Sequence, residues 1–164
     1  MAYAVRDFLG AQGIATTDTT QNHKLGTIVR AWDPTYGEGE FIYLLGVAST
    51  AVGSLVVYDG TTYATTLCPV TANLGRPVAV AMSACVSANY GWYQIGGTAV
   101  ITKSTGIAIA PKVALGINST AKVGASASGK QILNARTANA ATVASATTTV
   151  NVVINRPFLQ GRVT

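Results

Sequence analysis

The sequence predicts an all-β protein, a compact β-barrel or sandwich with an extended N-terminal arm, and three observations carry that expectation. From residue 40 onward, β-rich runs recur about every 8–12 residues with Gly, Asp and Asn between them, the spacing of sandwiches and barrels. The 164 residues include 26 Ala, 18 Val and 22 Thr but only 7% aromatics, and small or β-branched side chains suit a pleated, half-buried surface. The first 39 residues instead lack a sustained apolar period and are rich in turn formers. The expected division is therefore an arm and turn region over 1–39 and a β-barrel domain over 40–164.

Within the arm, Thr16-Thr-Asp-Thr-Thr-Gln-Asn22 and Asp33-Pro-Thr-Tyr-Gly-Glu-Gly39 read as turns, and Leu25–Trp32 as one short strand. Strands are then expected at Phe41–Val47, Ser54–Tyr58, Tyr63–Leu67, Val78–Val86, Gly91–Ile95 and Thr98–Lys103. Three more follow at Lys112–Leu115, Gln131–Ala135 and Thr148–Ile154. Asp59-Gly60 reads as a two-residue hairpin turn, because type I′ geometry needs positive φ at both central positions. Thr137–Thr149 is an Ala/Thr stretch; five Thr, an Asn and a Ser outweigh its alanines and predict a surface loop.

Only 10% of the residues are charged, against roughly 25% in an ordinary soluble domain. The net charge of +5 is unevenly placed. Six acids (Asp7, Asp18, Asp33, Glu38, Glu40, Asp59) and three bases precede Gly60, giving −3; eight bases and no acid follow, giving +8. Such asymmetry favours an acidic partner: nucleic acid, another protein or the front of a neighbouring copy. The longest nearly apolar run, Val78–Ala88, is far short of the ~20 residues of a spanning helix. No secretory pattern opens the chain, so synthesis in a cytoplasm is expected.

Enzymatic chemistry finds little support. Gly124-Ala-Ser-Ala-Ser-Gly-Lys130-Gln131 satisfies a phosphate-loop pattern until its last position, where a Ser or Thr hydroxyl should ligate magnesium. The same stretch breaks the nucleophile-elbow pattern at its final Gly. His23 lies in the polar arm, away from any nucleophile it could serve as base. Asp33, Glu38 and Glu40 lack the spacing of a calcium loop and read as a solvated turn or a salt-linked contact. Cys68 and Cys85 have no second histidine for zinc and read as half-buried free thiols. No catalytic residue, metal or cofactor is expected. Tyr90, Trp92 and Tyr93 offer a stacking platform for nucleic acid or a carbohydrate, but strand alternation sends Trp92 and Tyr93 to opposite faces. The bases never form a stripe, so nucleic acid is not the expected partner.

Three longer strings carry a resemblance. Leu25-Gly-Thr-Ile-Val-Arg-Ala-Trp-Asp-Pro-Thr-Tyr-Gly-Glu-Gly-Glu-Phe-Ile-Tyr-Leu-Leu-Gly-Val-Ala-Ser-Thr50 is similar to the front of small head proteins of tailed bacteriophages. Pro77–Gly97, with its V-A-V-A and G-W-Y-Q-I motifs, resembles their middle, and Asn151-Val-Val-Ile-Asn-Arg-Pro-Phe158 their last strand. The resemblance covers roughly residues 24–103 and 150–158 and is loose over 104–149. It implies a capsid decoration (cement) protein: a β-barrel with an N-terminal arm, commonly a homotrimer. Such a protein binds the major capsid protein on the outer surface of the virion head, at local threefold positions. It implies no active site and no membrane partner. Contacts to the capsid or between subunits are then expected in the arm, at Arg6, Asp7, Phe8, Leu9, His23 and Lys24. Phe8 and Leu9 are the natural anchors for a neighbour's pocket, or alternatively a staple against the protein's own barrel. The competing functions are a nucleic-acid-binding small barrel and a tail module that binds host carbohydrate.

Overall fold

The computed structural model describes residues 4–5 and 12–162. The described chain is all-β, and every strand-to-strand pairing is antiparallel. The strands are β1 (Ala4–Val5), β2 (Thr17–Asp18), β3 (Ile28–Asp33), β4 (Gly37–Leu45), β5 (Leu55–Tyr58) and β6 (Thr65–Leu67). They continue with β7 (Val78–Ala81), β8 (Tyr90–Thr102), β9 (Ala114–Ser119), β10 (Lys122–Ala125), β11 (Gln131–Thr137) and β12 (Thr149–Leu159). The main sheet runs β1-β3-β4-β8-β12-β11-β9-β10 and curls into a half-barrel.

β8 organises the fold. One edge pairs with β4; the other takes β2 at Tyr90 and Gly91, β7 at Tyr93 and Gln94, and β12 from Gly96 to Thr102. The two strands expected at Gly91–Ile95 and Thr98–Lys103 are one strand, joined through a bulge rather than a turn. Glu40 pairs with Gly96 and Phe41 with Gln94, which leaves Ile95 as the extra residue. Gly97 sits at φ +89°, and a Cβ there would lie 2.4 Å from the Glu38 carbonyl oxygen, so the bulge needs glycine. The buried Gln94 amide donates to the carbonyls of Gly96 (3.0 Å) and Thr98 (3.1 Å), holding polar backbone where the ladder is interrupted.

Three apolar clusters fill the molecule. The half-barrel encloses Leu55, Val80, Ile101, Leu115, Ile132 and Val152. Ile14, Val29, Ala31, Phe41, Tyr43 and Trp92 form a second cluster under the first hairpin. Ile42, Leu44, Val56, Ala79, Tyr93 and Ile95 form the third. The small β6-β5-β7 sheet is wedged between the first and third: Val78 and Val80 face one, Ala79 and Ala81 the other. That is why Val78–Ala81 is apolar at every position, as in strands covered on both faces. Trp92 and Tyr93, on opposite faces of β8, are both fully buried: the small sheet covers Tyr93, and Trp92 packs on the other face with Ile14, Phe41 and Tyr43.

Several expectations need correction. The division at residue 39 falls inside β4, and residues 14–31 supply Ile14, Val29 and Ala31 to the core. Asp59-Gly60 is not a type I′ turn, since neither residue has positive φ. The loop is wider: the Asp59 carboxylate accepts the Thr61 and Thr62 N–H groups, each at 2.8 Å, and Tyr63 takes φ +56°. The run expected to Val86 ends at Ala81. β10, Lys122–Ala125, is a strand where none was expected. Both thiols are fully buried rather than half-buried. Residues 138–148 form the expected loop, pinned by reciprocal hydrogen bonds between Ile109 and Val143 at 3.0 and 2.9 Å.

Candidate interaction surface

The sequence-expected contact residues divide by position. Arg6, Asp7, Phe8 and Leu9 lie outside the described residues. His23 packs against the chain's own sheet, its ring 5.1 Å from that of Tyr43 and 5.4 Å from that of Trp92. Asn22 N–H donates to the Tyr43 hydroxyl at 3.4 Å, so this stretch is laid down over the aromatic cluster. Lys24 is exposed, and its carbonyl accepts both N–H and Oγ1–H of Thr27 at 3.1 and 2.7 Å.

The other sequence candidates take structural places. Gly124–Gln131 links β10 to β11 through a turn in which Lys130 N–H donates to Ala127 O at 3.0 Å; the segment leads into a strand, not the helix of a phosphate loop. Asp33 is buried, and its Oδ1 accepts the Thr35 and Tyr36 N–H groups at 2.8 and 3.0 Å, an Asx turn that closes the β3–β4 hairpin. Glu40 lies between Arg30 (3.5 Å) and Arg156 (3.6 Å). Trp92 and Tyr93 are buried and cannot serve as a stacking platform; Tyr90 is half-buried, with its ring 6.3 Å from that of Tyr43. Burial pushes the Cys68 thiol up to about 12 and the Cys85 thiol above its ordinary value as well, which keeps both protonated and poorly nucleophilic. Among the described residues no three His, Cys, Asp or Glu side chains come close enough to hold a metal ion. None of them forms a helix long and apolar enough to cross a membrane.

The outer face of the half-barrel is where the unpartnered surface lies. β3 alternates strictly, sending Val29, Ala31 and Asp33 inward and Ile28, Arg30 and Trp32 outward. On β12 the outward residues include Val153, 50% exposed, and Phe158, 40% exposed; on β11 they include Leu133, 39% exposed. Register places Leu133 opposite Phe158 and Arg136 opposite Val153. These strands wall an open groove of about 690 Å³ whose apolar lining includes Leu133 and Val153 and whose basic groups are Lys112 and Arg136. Among the described residues neither base has a carboxylate within 4 Å. Across the same outer face, Trp32 is 45% exposed and stands opposite Glu38 in the β3–β4 register. The sequence carried a signal for this surface: in Ile132-Leu133 and Val152-Val153-Ile154, alternation must turn one apolar residue outward. Comparison with known protein families, with curated proteins and with solved structures found no match in any of the three.

Proposed function

We propose that this chain is a structural protein of a bacteriophage virion, a capsid decoration (cement) protein that attaches to the outside of the head as a homotrimer and stabilises contacts between major capsid protein subunits. The observation that carries the reading is the spatial union of the three phage-like strings. Leu25–Thr50 contains β3 and β4, Pro77–Gly97 contains β7 and the first half of β8, and Asn151–Phe158 lies within β12. β4, β7 and β12 all pair with β8, and β3 pairs with β4, so the resemblance falls on a single folded unit. A low charge content supports it too, because a large interface formed by Ala, Val and Thr has little charge to desolvate.

In this reading Arg6, Asp7, Phe8, Leu9 and Lys24 reach the capsid or a neighbouring subunit, and the outer sheet face with Trp32, Leu133 and Val153 is covered in the assembled head. Synthesis takes place in the host cytoplasm. Electron microscopy of the virion tests the assignment: density of this fold is expected outside the shell at local threefold positions. Its location in the tail, or its absence from the particle, overturns the reading.

A further inference from the structure

We propose that the groove over β11, flanked by β9 and β12, receives the Trp32–Glu38 end of the β3–β4 hairpin of a second copy of this chain. This rests on the homotrimer part of the reading above and names the surfaces that meet.

The argument starts from charge. The groove holds Lys112 and Arg136 over an apolar floor of Leu133 and Val153, and the sequence has no acid beyond Asp59 to neutralise them. Glu38 is exposed and, among the described residues, has no cation within 4 Å. It stands beside Trp32, a large ring left 45% exposed at the far side of the same sheet. The two patches are therefore complementary in both respects: an aromatic ring beside a carboxylate, and an apolar floor beside two bases.

They cannot meet within one molecule. β3 and β11 are separated by four strand-to-strand steps, roughly 19 Å along the sheet at the usual strand spacing, and both patches lie on its outer face. Only a second copy brings one against the other. The contact joins unlike surfaces, so it is heterologous and closes into a ring when the rotation between copies permits. Glu40, already held by Arg30 and Arg156, is not needed for it.

The test is a charge swap on the full chain, with self-association read by sedimentation and light scattering. The wild type is expected at a multiple of 16.8 kDa at micromolar concentration. Glu38→Lys and Arg136→Glu are each expected to weaken self-association by at least about tenfold, because like charges then face each other. The double variant Glu38→Lys/Arg136→Glu should recover most of the wild-type mass. Trp32→Ala should weaken association by about 30-fold, as loss of an interface anchor does. All three residues are exposed, and circular dichroism should be unchanged. A wild type at 16.8 kDa at every concentration overturns this contact together with the trimer. Single variants that associate like the wild type overturn the contact and leave the trimer standing. Co-sedimentation of each variant with undecorated heads is read separately, so failure of the self-contact is distinguishable from failure of head attachment.

Discussion

Arg156 Nε lies 3.6 Å from Glu40 Oε2, which ties β12 to β4 across the intervening β8. Gly96 makes the approach possible: it pairs with both Glu40 and Asn155 and places no side chain between them. Arg30 holds the other carboxylate oxygen at 3.5 Å. All three side chains are solvent-accessible, so Glu40→Gln should lower stability by no more than ~1 kcal/mol. The difference should shrink in 1 M salt, where screening shortens to about 3 Å. Urea midpoints at low and high salt check this.

Gly97 should be far less tolerant. Gly97→Ala forces a Cβ to within 2.4 Å of the Glu38 carbonyl in a backbone with φ +89°. The expected loss is at least ~1 kcal/mol, visible as a lower melting temperature. A second readout is faster amide exchange around Gly39 and Gly96.

Both cysteines should resist alkylation in the native state. Cys68 and Cys85 are buried, and burial holds both thiols protonated at pH 8, with Cys68 up to about 12. Iodoacetamide at pH 8 should label neither in the folded protein and both in denaturant, as mass spectrometry would show.

Asp59 gives the pH dependence a sign. The N–H groups of Thr62 and Thr61 stabilise its carboxylate and hold it below the ordinary aspartate value. A depressed folded value contributes stability that is present above the unfolded value of about 3.9 and lost as pH falls through the folded one. Asp59→Asn should therefore melt below the wild type at pH 7, with the gap closing progressively below about pH 4. Paired melting curves across that range measure it.

Much of the fold was legible because the strands alternate. The alternation of exposed and buried side chains along β3 is written in Ile28-Val-Arg-Ala-Trp-Asp33, and β5, β11 and β12 fall close to their expected places. What alternation hides is a second layer. Alternation puts Trp92 and Tyr93 on opposite faces, and both are buried because the β6-β5-β7 sheet covers Tyr93 while Ile14 and His23 pack over the Trp92 side. β10 was illegible because Lys122-Val-Gly-Ala125 has a single β-branched residue, and its pairing with β9 supplies the order that composition lacks. Gly96-Gly97 resembled a break because a glycine pair marks a turn as readily as a bulge. The outer groove depends on which of Ile132 and Leu133 faces in, and the register with Leu159 and Phe158 decides that.

The deletion that best separates the arm from the fold is also set by packing. Removing residues 1–11 spares Ile14, His23 and the β2 pairing with β8, whereas a cut at residue 24 removes all three. The shorter truncation should stay folded by circular dichroism and bind heads more weakly, through loss of Phe8 and Leu9.

Head attachment itself is the most direct measurement. Purified protein added to undecorated, expanded phage heads should co-sediment with them to a saturating copy number divisible by three and raise the temperature at which the heads rupture. Heads that sediment without it, with an unchanged rupture temperature, would contradict the decoration reading.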